Sequence, residues 1–373
     1  MKFLILTEDH FPNGLGGGIT YLKFLEQGLK YHKKDYEIIC PRYYKNKPES
    51  NSQHIKRFGL YLRHFNSFFL RSIYKMYYYP IWYFYILLYL IKDKRHQDID
   101  CIISEQILFS GAFAIVLGFL FKKRVILTMH GRFDKGLTEQ GISVFLAKII
   151  AKEERLVVSN MDLVICVSRD IKDYYLLFNK NSVFVPNFID ISKYKKRKFK
   201  KLEVIAYIGR LSVEKKVEVI VKTAQFFPEK KFWIIGDGPE KENLENLSKE
   251  LNLKNVEFLG RRDDVPKLHQ KIDLVVYIWP NEPFGLSALE AMASGIPVIA
   301  ADTNEMHYFV GETKSGLTIP KDKINENEVK DAIKKLEDKN LYKKLSQNAF
   351  KTSKEYDYRK IVLRFIELLK KNK

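Results

Sequence analysis

Short, nearly unbroken apolar runs alternate with helix-length amphipathic stretches along most of this 373-residue chain, and no other feature constrains its fold as strongly. Strands are expected at 2–7, 36–40, 100–104, 124–129, 161–167 and 182–186 in the first half. In the second half they are expected at 203–209, 231–236, 255–259, 272–279 and 297–301. A strand wetted on one face alternates apolar and polar residues, whereas one covered on both faces reads as a continuous apolar run. Strand–helix–strand order repeated in this way calls for parallel sheets with helices on either side. Two such blocks give two doubly wound α/β domains, and the length suits two domains of moderate size. The boundary falls near Pro186-Asn187, dividing the chain into 1–190 and 191–354.

Composition narrows the class further. With 46% hydrophobic residues, each half can bury a core and no long disordered stretch is expected. Cys40, Cys101 and Cys166 sit at or beside apolar runs, without a CxxC pair or a histidine at ligand spacing. Buried free thiols in a reducing, cytoplasmic compartment are the expectation, rather than disulfides or a zinc site. The apolar run at the N-terminus is too short for a signal peptide and reads as a first strand. The formal charge of +19 implies an anionic partner: a nucleotide diphosphate, an acidic membrane surface or nucleic acid.

Two segments bear on that choice. The basic run 193–201 precedes the second block; it reads as a solvated linker or a contact for anionic lipid, and no nucleic-acid module surrounds it. From Phe58 to Ile91 aromatics interleave with Arg63, Arg71 and Lys75, with Arg57 just before. Its uninterrupted part falls short of the roughly 20 residues that span a bilayer. Either one or two core-packing helices or a membrane-surface docking face fits this pattern.

Ligands of open α/β sheets bind beyond the carboxyl ends of the strands. After the first strand comes Gly14-Leu15-Gly16-Gly17-Gly18, where backbone can approach an anion at a helix start. The spacing is not GxGxxG, which disfavours nicotinamide or flavin. His130 follows the strand at 124–129, where a structural hydrogen bond and a ligand contact are both open. In the second half, Arg210 and Lys215 flank a strand-to-helix turn, as a departing diphosphate requires while its negative charge grows. A second tight turn is Gly236-Asp237-Gly238-Pro239. Then Glu282 and Glu290 bracket Pro283-Phe284-Gly285-Leu286-Ser287-Ala288-Leu289. Glu282 precedes a proline and so belongs to the loop. A helix should start near 285–287 with free N–H groups and Glu290 in its first turn. Ser287 and Glu290 also match a capping box, so a cap role competes with a ligand role for Glu290.

These motifs, in this order, resemble glycosyltransferase family 4, retaining enzymes of the GT-B fold, over essentially the whole chain. The resemblance implies two Rossmann-like domains facing a central cleft, with the helix over 355–373 packing back on the N-terminal domain. It implies that Arg210 and Lys215 clamp the donor diphosphate and that Glu290 accepts from the ribose hydroxyls. Glu282, with the backbone of Phe284, Gly285 and Leu286, would hold the transferred sugar. Gly16, Gly17 and Gly18 would lie near the diphosphate, and His130 would line the sugar and acceptor side. No metal or other cofactor is implied beyond the nucleotide-sugar donor. The implied partner is a lipid-linked or glycan acceptor, with an anionic membrane surface on the cytoplasmic side. A sugar-nucleotide epimerase or a silent nucleotide-sugar-binding protein would share the fold. Lys216 stands where the family often has glycine, Trp279-Pro280-Asn281 where it has Pro-Ser, and Asp302-Thr303-Asn304-Glu305 at its Gly-Gly pair.

Overall fold

The computed structural model describes residues 1–8, 17–43, 54–62, 68–107, 109–132, 144–198 and 201–371. The chain divides into two compact units, Met1–Pro186 with Val362–Lys373, and Asn187–Ile361.

Unit 1 holds a seven-stranded parallel sheet in the order β3-β2-β1-β4-β5-β6-β7. Its strands are β1 (Lys2–Leu6), β2 (Asp35–Tyr43), β3 (Ile55–Leu62), β4 (Cys101–Ser104), β5 (Arg124–Met129), β6 (Leu163–Cys166) and β7 (Ser182–Phe184). The central strands are covered on both faces, as continuous apolar runs require: Phe3, Leu4, Ile5 and Leu6 are all fully buried. Its helices among the described residues include α1 (Gly17–Tyr31), α2 (Phe68–Ile91), α3 (Phe109–Phe121), α4 (Val144–Ser159) and α5 (Arg169–Tyr175). Right-handed crossovers assign the helices to faces. The step from β1 to β2 runs one way along the sheet and puts α1 on one face. The steps from β3 to β4 and from β4 to β5 run the other way and put α2 and α3 on the opposite face.

Unit 2 holds a six-stranded parallel sheet in the order β10-β9-β8-β11-β12-β13. Its strands are β8 (Val204–Ile208), β9 (Lys231–Ile235), β10 (Val256–Gly260), β11 (Leu274–Tyr277), β12 (Val298–Asp302) and β13 (Gly316–Pro320). Its helices include α6 (Val217–Thr223), α7 (Lys241–Glu250), α8 (Leu286–Ala293), α9 (Glu326–Lys335) and α10 (Lys339–Ser353). One core joins the two sides of the sheet, including Ile205, Phe232, Val275, Ile299, Met292 and Ile333.

The last helix, α11 (Tyr358–Lys371), buries Val362, Phe365, Ile366 and Leu369. It lies against unit 1. Val362 fills the space beside Gly28 of α1, the Phe365 and Phe3 rings are 6.5 Å apart, and Arg124 donates to the Leu369 carbonyl at 2.9 Å.

Three expectations change. The stretch 58–91 is not wholly helical, because residues 58–62 belong to β3, and α2 begins only at Phe68. A strand at 316–320, β13, was not foreseen. The basic run is solvated only in part: Lys193, Lys195, Lys196 and Lys198 are exposed, but Arg197 pairs with buried Asp273, and the Gln270 amide donates to the Lys195 carbonyl at 2.8 Å. Among the described residues, no helix is long and apolar enough to cross a membrane.

Candidate active site

Strand order decides where a ligand can sit. In unit 2 the chain lays down β8, β9 and β10 outward, then returns to place β11 on the other side of β8. Crossovers on the two sides of such a switch leave by opposite faces and open a crevice beyond the carboxyl ends of β8 and β11. Arg210 and Lys215 follow β8; Trp279 and Glu282 follow β11.

The turn after β8 is fixed by the turn after β9. Leu211 N–H donates to the Asp237 carbonyl at 3.0 Å, and Glu240 N–H donates to the Leu211 carbonyl at 3.1 Å. The two backbones press so closely that a Cβ on Gly236 would overlap the Gly209 carbonyl oxygen, and Gly236 has φ of +147°. Only glycine fits both demands. Lys216 ends the turn in the left-handed region, with φ of +53°. That is the conformation for which a glycine is suited, and it costs a lysine some strain.

Arg210 is exposed, but Lys215 is not. Lys215 Nζ lies 3.4 Å from Glu282 Oε2 and 3.2 Å from the centre of the Trp279 ring. Glu282 is 8% exposed and accepts from the Tyr277 hydroxyl at 2.7 Å and from Gly285 N–H at 3.0 Å, with Phe284 N–H at 3.4 Å. Burial, then the Glu282 charge, pushes the Tyr277 hydroxyl well above its ordinary pKa, so it stays a donor. Two strand ends thus bring an ammonium and a carboxylate 67 residues apart in sequence together in a half-dry, aromatic-walled corner. Phe284 itself is a core residue, its ring stacked on Phe309 at 5.4 Å. Its N–H and that of Gly285 turn onto Glu282, while Leu286 opens α8, whose first-turn N–H groups point out of the helix start.

Glu290 is the fifth residue of α8, beyond its first turn, and the capping box does not form. The N-cap is Gly285, with no side-chain cap bond. The Glu290 carboxyl instead interacts with the Tyr194 hydroxyl, which favours its charged form. Burial raises its pKa to about 7, against the Tyr194 bond and the Lys193 charge, which lower it. The Tyr194 ring lies 5.6 Å from that of His269, whose buried imidazole is pushed down to about 4 and sits 3.2 Å from Ser294 Oγ. Tyr194 was not foreseen; its place in the basic run disguised it as part of a linker.

In unit 1 the equivalent switch lies between β1 and β4. Gly16 lies outside the described residues; Gly17 and Gly18 open α1, with Gly18 against the His130 ring. His130 Nε2 is 3.0 Å from Glu105 Oε2, and Thr128 donates to Glu105 Oε1 at 3.2 Å. The Tyr21 ring stands edge-on to His130 at 4.8 Å. Glu105 is 5% exposed. Glu8, also buried, accepts from the Tyr79 hydroxyl at 2.7 Å. Sequence reasoning missed both carboxylates. The signal was available, since each is the first acidic residue beyond an apolar strand run.

Comparison with known proteins assigns both halves. Residues 15–193 match the description Glycosyltransferase Family 4, and residues 188–352 match Glycosyl transferases group 1. The chain is 30% identical over 162 residues to a sulfoquinovosyl transferase of Arabidopsis thaliana, covering 42% of this chain and 31% of that protein. It therefore spans about a third of that relative's length. Among solved structures, sucrose-phosphate synthase from Thermosynechococcus elongatus superposes with a TM-score of 0.79 at 19% identity, over 100% of this chain and 99% of that one. The Anabaena protein HepE, solved in complex with UDP, gives 0.76 at 20% identity over 100% of both chains. Both share the fold of two parallel-sheet α/β domains.

Proposed function

Because the chain belongs to glycosyltransferase family 4, we propose that it is a retaining enzyme that moves a sugar from a nucleoside-diphosphate sugar to a lipid-linked or glycan acceptor. The observation that carries this reading is the meeting of Lys215 with Glu282 beyond β8 and β11. A glycosyl donor needs a cation where diphosphate charge grows and an acceptor where sugar hydroxyls lie, and this corner has one of each. Lys215, with Arg210 beside it, stabilises the leaving diphosphate. Glu282, held by Tyr277, orients the sugar. Glu290 takes the ribose hydroxyls of the nucleotide, and the first turn of α8 at Leu286 faces the donor oxygens. Within unit 1, Gly17 and Gly18 at the start of α1 are the candidates for a diphosphate contact, and His130, oriented by Glu105, for a sugar or acceptor contact.

The acceptor hydroxyl attacks the anomeric carbon from the face the diphosphate leaves, and the departing phosphate oxygen takes its proton. The anomeric configuration is thereby kept, and the two cations do the work a metal ion does in other transferases. UDP sugars are the first donors to test, since a protein of the same fold was solved with UDP. The protein works at the cytoplasmic face of a membrane when its acceptor is lipid-linked.

A panel of sugar nucleotides, each with and without crude lipid-linked or glycan acceptors, tests the reading. Acceptor-dependent release of the nucleoside diphosphate from one donor is expected. Conversion of the donor sugar with the diphosphate intact, or binding without turnover, would overturn it.

A further inference from the structure

Helix α3 has the sequence Phe-Ser-Gly-Ala-Phe-Ala-Ile-Val-Leu-Gly-Phe-Leu-Phe, without one charged residue. A helix apolar on every side belongs in an interior. Yet α3 leaves Val116, Phe119 and Leu120 exposed, Phe119 at 84%. Its neighbour α2 repeats the pattern. Tyr79, Trp82, Ile86 and Leu90 face the core, while Phe84, Leu88 and Ile91 recur at helical spacing on the outer side, with Phe84 58% exposed. The two helices are in direct contact, the Tyr83 and Phe113 rings stacked at 4.1 Å, and His96, in the short 3-10 helix Lys92–Asp98 that follows α2, stacks on Phe121 at 4.5 Å. Their outer stripes therefore lie side by side on one face of the unit 1 sheet. The other face carries α1 and, on it, α11. Scattered exposed apolar residues mean little, but a paired stripe of this kind marks an interaction surface.

Charge identifies the occupant. At the end of both stripes stand the exposed Lys92, Lys94 and Lys122. Lys123 donates to the Gln97 carbonyl at 3.2 Å, tying the two ends together. Of the acids nearby, Asp98 is turned toward Lys2 at 4.0 Å, Asp100 accepts from Lys2 N–H at 2.7 Å, and Asp93 lies between Lys92 and Lys94 in sequence, leaving the lysines in excess. A second copy of a chain carrying +19 would meet this surface with like charge. An acidic lipid surface meets it with opposite charge at the lysines and takes the phenylalanines and leucines below its head groups. Neither helix can cross a bilayer, so the contact is along its surface.

We propose that the outer face of α2 and α3 is a docking surface for an anionic lipid bilayer, resting on the lipid-linked acceptor reading above. The contact is carried by the C-terminal half of α2 and by α3. Of the basic residues named from sequence, Arg57 lies on β3, Arg63 is outside the described residues, and Arg71 and Lys75 belong to the first half of α2.

Sedimentation of the full chain with vesicles of phosphatidylcholine alone, and with added phosphatidylglycerol, tests this. Binding to the anionic vesicles is expected, weakened at high salt as exposed charges are screened. The double variant Phe84→Ser/Phe119→Ser should reduce partition at least about tenfold, since each ring loses its burial in lipid. Its thermal unfolding temperature should be unchanged or higher, because both rings face water in the folded chain. Phe119→Trp supplies a second readout, with emission shifting to the blue on anionic vesicles only. Absence of wild-type binding, equal binding by the double variant, or no emission shift would overturn the proposal. So would a wild-type dimer that the double variant splits while vesicle binding persists. Vesicle binding is measured without donor and nucleotide release without vesicles, so failure of the docking surface and failure of the transferase reading are separable.

Discussion

Replacing Glu290 by glutamine should make the ligand-free protein more stable at pH 8 and leave it nearly unchanged at pH 4. Burial lifts the Glu290 carboxyl from 4.5 to about 7. Between those values the folded chain holds a proton that the unfolded chain has released, so stability falls as pH rises through that window. Above pH 7 the full cost of keeping the charge in the fold amounts to at most about 3 kcal/mol. Glutamine has the shape of the protonated carboxyl and carries no charge to desolvate. For a unit of this size, about 3 kcal/mol corresponds to a rise of up to roughly 10 °C in Tm at pH 8. The same variant should bind UDP more weakly at pH 8, by about 1.5–3 kcal/mol for a lost charge-assisted bond to ribose, or roughly tenfold to a hundredfold. Calorimetry of unfolding and of UDP binding at both pH values measures the two effects. If Tm at pH 8 does not move, the carboxylate is well solvated and the burial reasoning is wrong. If UDP affinity does not move, Glu290 is not the ribose acceptor.

Arg210→Ala and Lys215→Ala should each slow nucleotide release about 100- to 1000-fold in steady-state assays with fold retained by circular dichroism. Gly236→Ala should lower Tm sharply, because the new methyl collides with the Gly209 carbonyl and the backbone cannot relax from φ of +147°. Lys216→Gly should leave Tm level or raise it by an amount equivalent to no more than about 1 kcal/mol, the relief of left-handed strain being offset by a looser unfolded chain. A clear loss of stability in that variant would show that the lysine side chain, rather than its backbone shape, matters there.

The strands at the middle of each sheet could be read from sequence, and two at its margins could not. β1, β4, β5, β11 and β12 are covered on both faces and show as solid apolar runs. β3 and β13 lie at sheet edges, with one neighbour each. The first mixes Lys56 and Arg57 with Phe58 and Tyr61, and the second ends at Pro320, which an edge strand tolerates. Their sequences therefore resemble loop or helix. The candidate site divides similarly. Lys215 and Glu282 declared themselves through local motifs, but their contact spans 67 residues and only the fold could reveal it. Glu105 and Tyr194 lacked a motif altogether. Each matters through a partner, His130 and Glu290 respectively, that sits on another element.

The return of the chain to unit 1 after residue 361 has a consequence during synthesis. Phe3 and Gly28 leave the ribosome before unit 2, yet the side chains that pack on them, Phe365 and Val362, leave after it. All of unit 2, Asn187–Ile361, is translated in between. At about 5–20 residues per second that interval is on the order of ten seconds or more. Throughout it, Gly28 and Phe3 lack the side chains that pack on them, while the later unit can already close its own core. The order of completion is thus inverted with respect to the order of synthesis. Until α11 arrives, the apolar surface around Gly28 and Phe3 is where a chaperone would engage the nascent first domain.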